Sequence, residues 1–358
     1  MTESGVQDDD PGAPGWDAID QALAPLYAGQ EPRHYGTLIG YELGGPDPIR
    51  GISAYRRAEP VPHWHFITYG FSELFQKEAE DPEVSGWGFE LTMRVTADAD
   101  ADEPPAWVLN FLQNLGRYVF GSGNVFSDGD YMNANGPISR DSETLLRAVA
   151  FTQDPELPPI DTPNGRVDFL QVVGITSDEE FALKQWKTRS VLEVFREHLP
   201  LLVTDLPRAS LLGIADVRER LAAGRAAEGS NTGFVFVDKL AWEEKKRLLR
   251  TPEVQLTIGA QQVNEVLGLL PYRLPFGRDF TLASRECAIV FAPGDGNRHS
   301  AEGTTLRLEL APDTLTELQS VLAPREGEYR LGTFKDLVIQ VRKTEIRDPE
   351  GNMIQVIG

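Results

Sequence analysis

His63-Trp64-His65-Phe66-Ile67-Thr68-Tyr69-Gly70-Phe71-Ser72-Glu73-Leu74-Phe75 is the stretch on which the fold turns. Trp64 to Tyr69 has the aromatic and β-branched composition of a strand, with near-alternation of apolar and polar residues. Gly70 marks where the strand ends. Working outward, Gly86 to Val95 reads as another strand. Upstream, Tyr35 to Leu43 and Ile49 to Tyr55 read as strands joined by the turn residues Gly44-Gly45-Pro46-Asp47-Pro48. Before them, Trp16, Ile19, Leu23 and Leu26 recur at helical spacing and predict a helix over Trp16 to Tyr27.

Downstream, Pro104-Pro105 opens a helix predicted from Ala106 to Phe120, with Trp107, Phe111, Leu112, Leu115 and Val119 on its apolar face. The loop from Gly121 to Asp141 is too long for a simple connector, and such loops tend to carry function. Leu145 to Thr152 and Val167 to Thr176 read as strands, and Leu201 to Leu206 as a short edge strand. Ser177 and Glu180 form an S-x-x-E capping box for a helix over Glu179 to His198. Ala209 to Ser230 reads as a helix followed by a linker, because Ala222, Ala223, Gly224, Ala226, Ala227 and Gly229 cluster there. Beyond Thr232, the strand candidates are Gly233 to Val237, Val254 to Ile258, Phe280 to Ser284, Cys287 to Phe291, Thr305 to Leu310 and Leu337 to Arg342. Asp313 is placed to cap a helix through Leu322. The C-terminus reads as a hairpin with Asp348-Pro349-Glu350-Gly351 at its turn and Met353 to Ile357 returning.

These elements predict an α/β protein of the α+β type, with two mixed-sheet domains and flanking helices. The expected division is a disordered acidic tail over 1–14, a first domain over 15–208, a helix and linker over 209–231, and a second domain over 232–358. A chain of 358 residues with 41% apolar residues suits two cores. No apolar run reaches the ~18 residues of a membrane helix. Met1 to Pro14 has neither the basic start nor the apolar run of a secretory signal. Cys287 is the single cysteine, which excludes an intrachain disulfide and a cysteine-rich zinc site. It lies in the apolar run Cys287 to Phe291, where a buried inert thiol is expected, and it suits a cytoplasmic protein. The net charge of -21 repels phosphate backbones, so no nucleic-acid partner is expected. It favours a basic partner, or serves solubility. No membrane partner is expected, and a monomer is.

The catalytic patterns are incomplete. His63 and His65 stand two apart on a strand and share a face, yet a metal site needs a third protein ligand. Gly70-Phe71-Ser72-Glu73-Leu74 has leucine where a nucleophile elbow needs its second glycine. Gly121-Ser122-Gly123-Asn124-Val125-Phe126 follows a helix rather than a strand, against a dinucleotide loop. Asp128, Asp130, Asn133 and Asn135 crowd one loop, but Met132 interrupts the calcium-ligand spacing. Arg347 to Gln355 resembles the closing hairpin of glyoxalase-like enzymes, with the neutral Gln355 where those carry a metal-binding glutamate. The expectation is therefore a non-enzyme with no cofactor and no metal. The alternative is a metal-dependent enzyme using His63 and His65 or that hairpin.

Three stretches resemble the suppressor of fused family. They are Tyr41 to Pro48 with Ser53-Ala54-Tyr55-Arg56, then His63 to Phe75 running into Ser85 to Arg94, and then Leu115 to Phe120 with Ser127-Asp128-Gly129-Asp130. Thr152-Gln153-Asp154-Pro155 and Asp168 to Gly174 are similar to the same family, as is Gly277 to Thr281 leading to Ala288 to Phe291. Animal members carry a long insert that this chain lacks room for, which suits a bacterial relative. The resemblance implies a peptide-binding cleft between the two domains. In animal members a peptide of Gli-type transcription factors adds there as a strand. Carried over by position, Tyr118, Asp130 and Asp154 match contacts in the first domain and Arg278 one in the second. Related bacterial domains occur in toxin-immunity neighbourhoods, so the resemblance also implies a toxin-neutralising variant of this role.

Overall fold

The computed structural model describes residues 12–97, 101–140, 142–247, 250–347 and 353–358. The chain divides into two compact units, Met1–Phe181 with Thr188–Arg218, and Ala182–Lys187 with Glu219–Gly358. Its fold is mixed α/β.

The first unit is built on one sheet. Its strands are β1 (Arg33–Gly36), β2 (Gly51–Arg57), β3 (His63–Tyr69), β4 (Val84–Thr96), β5 (Tyr131–Asn133), β6 (Leu146–Gln153), β7 (Ile160–Thr162) and β8 (Gly165–Thr176). They run in the order β1-β2-β3-β4-β8-β6-β5, with β7 paired to β8. Every residue of β3 is buried, because both faces of the sheet are covered. Alternation sends Trp64 and Phe66 to one core, with Met93, Phe151 and the helix residues Val108, Leu112 and Val119 of α2 (Ala106–Ser122). It sends Ile67 and Tyr69 to the other, with Phe169 and with Ile19 and Leu23 of α1 (Pro14–Leu23).

Several predicted elements are redrawn. The strand expected over Tyr35 to Leu43 is only β1: Thr37 N–H makes its last bond to Arg50, at 2.9 Å, and Tyr41–Leu43 is a 3-10 turn closed by Gly44 at φ 87°. The helix expected over Glu179 to His198 is two, α3 (Ser177–Gln185) and α4 (Thr188–Phe195). Their capping box sits one residue earlier than read, with Glu179 Oε2 accepting from the Thr176 N–H at 2.9 Å. The strand expected at Leu201 to Leu206 is a 3-10 turn, Pro200–Leu202, followed by a single bridge from Thr204 to Val95. Gln171 Nε2 holds that turn through the carbonyls of Leu201 and Leu202, at 2.8 and 3.1 Å. The small-residue cluster from Ala222 to Ala227 is no linker but part of α5 (Ala215–Glu228), and Gly229 follows the helix at φ 68°. Alanine is the best helix former, and Gly224 lets α5 sit against the Trp186 indole: a Cβ there would lie 2.3 Å from the ring.

The second unit has strands β9 (Phe234–Phe236), β10 (Leu240–Arg247), β11 (Arg250–Gly259), β12 (Phe280–Ala283), β13 (Ala288–Pro293), β14 (Arg298–Glu302), β15 (Thr305–Leu310), β16 (Gly327–Arg330), β17 (Leu337–Arg342), β18 (Thr344–Arg347) and β19 (Met353–Ile357). Two sheets, β10-β11-β17-β16 and β14-β15-β13-β12-β9, share one core with α6 (Ala260–Leu269) and α7 (Pro312–Val321). Asp313 does not cap α7 from outside. It lies within the first turn and accepts from the Thr314 N–H at 2.9 Å. β18 and β19 pair as a hairpin, while the turn expected at Asp348 to Gly351 lies outside the described residues, as does most of the expected acidic tail. Among the described residues no helix is long and apolar enough to cross a membrane.

Candidate partner-binding site

The long loop after α2 builds the site. Gly123 ends the helix in the left-handed conformation, φ 75°, its N–H donating to Val119 at 2.8 Å. The buried Phe126 then stacks on Phe151, with ring centroids 4.0 Å apart, and on Tyr118 at 5.6 Å. Asp130 closes a tight turn, its Oδ2 accepting from the Ser127 N–H at 2.8 Å. The chain next runs along β6 as β5, the end strand of the sheet among the described residues. The Asp130 carbonyl accepts from Phe151 and the Ala134 N–H donates to Arg147, both at 2.9 Å. Antiparallel alternation therefore turns the Asn133 main chain to the outer edge.

Between β5 and α2 lies a groove of about 430 Å³. Its floor includes Trp107, Phe111, Leu115, Met132 and Val149. Tyr118 stands beside them, 40% exposed, its hydroxyl accepting from Asn124 Nδ2 at 3.1 Å.

A second constellation lies inside the first unit, on the α1 face of the sheet. Asp154 Oδ2 accepts from Thr92 Oγ1 at 2.6 Å and Arg94 Nη1 at 2.7 Å. Its Oδ1 accepts from Arg94 Nη2 at 3.1 Å and from the N–H groups of Glu156 and Leu157. Arg94 also reaches Glu156, which pairs with Arg57. His65 Nε2 is 3.3 Å from Asp154, and its Nδ1 is 2.6 Å from the Tyr27 hydroxyl. Burial, with Arg94 adjacent, pushes His65 down to about 4, so the ring is neutral at pH 7. Burial opposes the charge on Asp154, but His65 and Arg94 outweigh it and hold the carboxyl well below the usual range.

The remaining motifs resolve into structural roles. His63 Nδ1 meets the Val61 carbonyl at 2.7 Å. Ser72 Oγ donates at 2.6 Å to Glu90, a fully buried carboxylate that also accepts from the N–H groups of Gly70 and Ser72 at 2.9 Å. Burial raises Glu90 above the usual range despite these donors. In the Asp128–Asn135 loop, Asp128 pairs with Arg189 at 2.9 Å and Asn133 Nδ2 donates to Glu180 at 2.8 Å. Among the described residues no group of three or more His, Cys, Asp or Glu side chains could hold a metal ion. Gln355 is exposed on β19, and Cys287 is half-buried rather than buried.

The family model of the suppressor of fused protein (SUFU) matches residues 45–209. The human and mouse suppressor of fused homologs are each 35% identical over 258 residues, covering 67% of this chain and 52% of theirs. This chain thus spans about half the length of the curated relatives it matches. A chain in the crystal structure of a Sufu-Fu complex is 33% identical, with a TM-score of 0.55 over 60% of this chain and 98% of its own length. The chain belongs to the suppressor of fused family. The structure of Drosophila Suppressor of Fused shares the fold, with a TM-score of 0.77 over 92% of this chain and 97% of its own, at 23% identity.

The four positions carried over from the suppressor of fused resemblance are placed differently from one another. Tyr118 and Asp130 are exposed and flank the approach to β5. Asp154 is 4% exposed and turned into the Arg94 network. Arg278 lies in the second unit, where its Nη1 donates to the Glu228 and Ser230 carbonyls at 3.0 and 2.9 Å, at the end of α5. The sequence reading passed over Arg94, Glu156 and Glu90. Their signal was the alternation Glu90, Thr92, Arg94 on one face of β4, all three fully buried.

Proposed function

We propose that this chain is a non-catalytic binding protein that holds an extended segment of a partner protein, added as a strand on the outer side of β5. The observation that carries this reading is an end strand whose Asn133 main chain faces outward beside the exposed Tyr118 and Asp130. Backbone bonds along such an edge supply affinity, and neighbouring pockets select side chains. The Sufu-Fu complex among the related structures supports a protein partner for the family. In this proposal Tyr118 offers its ring and hydroxyl, and Asp130 accepts from the segment. Asp154 acts through the strands that it ties together. In the second unit β9 also ends a sheet, with Phe234 and Phe236 each 55% exposed. Arg278 is proposed as the partner contact in that unit, as the family resemblance implies. A toxin as the partner is the immunity-protein version of the same reading.

The test is affinity capture from the native host with the intact chain, beside Tyr118→Ala and Asp130→Ala. We expect a protein enriched by the parent and at least one band lost on each variant. Identical capture by all three, or none by any, would overturn the proposal.

A further inference from the structure

We infer that Asn135 is a modification site: its side-chain amide converts, without an enzyme, to a mixture of aspartate and isoaspartate. The chain's other Asn-Gly pair is held against the same reaction. The sequence has two such pairs, Asn135-Gly136 and Asn164-Gly165. Asparagine side chains reach the backbone just ahead of them, and a glycine there has no Cβ to block the approach. The glycine nitrogen, its proton lost to solvent, attacks the asparagine Cγ. The new N–Cγ bond closes a succinimide ring, the Cγ–Nδ2 bond breaks, and the amide leaves as ammonia. Water then opens the ring. Attack at Cγ gives aspartate, and attack at the main-chain carbonyl gives isoaspartate. The net exchange takes up water and releases ammonia, with no oxidant, reductant or cofactor.

Ring closure needs an untethered amide, an untethered glycine N–H and room to turn. Asn135 meets all of these. It is exposed just past β5, and a Cβ built on Gly136 would meet nothing within 4 Å. Among the described residues neither the Asn135 side-chain amide nor the Gly136 N–H has a hydrogen-bond partner. Asn164 meets none. It is 4% exposed, in the turn from β7 to β8. Its Nδ2 donates to the Glu73 carbonyl at 2.8 Å, and its N–H to Thr162 Oγ1 at 3.1 Å. A Cβ on Gly165 would lie 2.8 Å from the Val84 main chain and 2.9 Å from that of Ser85. Swinging the Asn164 amide onto the Gly165 nitrogen therefore breaks a buried hydrogen bond and requires the turn to open. Around Asn135 the ladder is anchored on both sides, by the Ala134 N–H to Arg147 at 2.9 Å and the Ile138 N–H to Leu146 at 3.0 Å. The extra main-chain methylene of isoaspartate falls between these anchors. The new carboxylate joins the lining of the groove between β5 and α2.

The test ages the intact folded chain at mildly alkaline pH, beside the same chain in denaturing urea, until Asn135 has converted in the urea sample. Tryptic peptides are then read by mass spectrometry, with fragment ions locating each amide-to-acid mass gain. Trypsin separates the two pairs, Asn135 into residues 118–140 and Asn164 into residues 148–166. In the folded chain we expect a gain at Asn135, resolved by chromatography into two isomeric peptides, and none at Asn164. In urea both sites should gain, so that the preference for Asn135 falls several-fold. Asn135→Gln, whose longer side chain closes its ring far more slowly, should remove the gain from its peptide in the folded chain. Equal conversion of the two sites in the folded chain would overturn the inference, as would an Asn135 that stays intact there. An Asn164 that stays intact in urea would overturn the claim that the fold protects it.

Discussion

At the scale of single residues, the dominant feature is the buried Asp154–Arg94 pair. Removing one partner of a buried pair leaves an uncompensated charge, which typically costs about 3–5 kcal/mol. Asp154→Ala is therefore expected to lower unfolding stability by that amount in urea titration, and a loss below about 1 kcal/mol would contradict the network as drawn. The pH dependence follows from the same site. His65 is about 4 in the folded chain against an ordinary 6.5, so the unfolded state binds the extra proton between these values. Stability from this group is complete above about 6.5 and falls as the pH drops toward 4. Asp154, held below the usual range, adds a loss as the pH drops below about 4. His65→Gln should flatten the first segment of a stability–pH curve and weaken the second, because His65 is one of the two groups that hold Asp154 down. This network was half legible in sequence. His63 and His65 were seen as a same-face pair, but the alternation Glu90, Thr92, Arg94 ordinarily marks a solvent face. Here α1 and the Asp154 turn cover it, and only the tertiary arrangement shows that.

At the scale of elements, strongly patterned segments were readable. β2, β3, β4, β6, β8 and α2 lie where composition and spacing put them, within a few residues. The misreadings have local causes. Trp186 interrupts the α3–α4 helix because its carbonyl accepts from the Asn231 N–H, at 2.9 Å, and its indole donates to Glu228, at 3.0 Å. Small residues in α5 looked like a linker because their reason, the fit of Gly224 to Trp186, is non-local. Gly224→Val is expected to cost about 1–3 kcal/mol through overpacking, with a shifted Trp186 emission; an unchanged spectrum and midpoint would contradict the contact. β5 is three residues long, and no periodicity could reveal it in the Gly121 to Asp141 loop. Loop length alone drew attention to that segment.

At the scale of the whole molecule, the family and the mixed α/β class were legible because long ordered words survive in the first unit. The end-strand position of β5 was not, since sheet order is set by pairings far apart in sequence. The net charge of -21 adds a kinetic expectation. If the partner segment is basic, association should slow as salt rises toward a Debye length of about 8 Å while dissociation changes little, as stopped-flow mixing would show. The central claim, strand addition at β5, is tested most directly by partner capture with Asn133→Pro beside Asn133→Ala. Proline removes the outward N–H and is tolerated on an edge strand, whereas alanine keeps that N–H and removes only the side chain. The account predicts capture by the parent and Asn133→Ala and loss on a folded Asn133→Pro; equal capture by all three would contradict it.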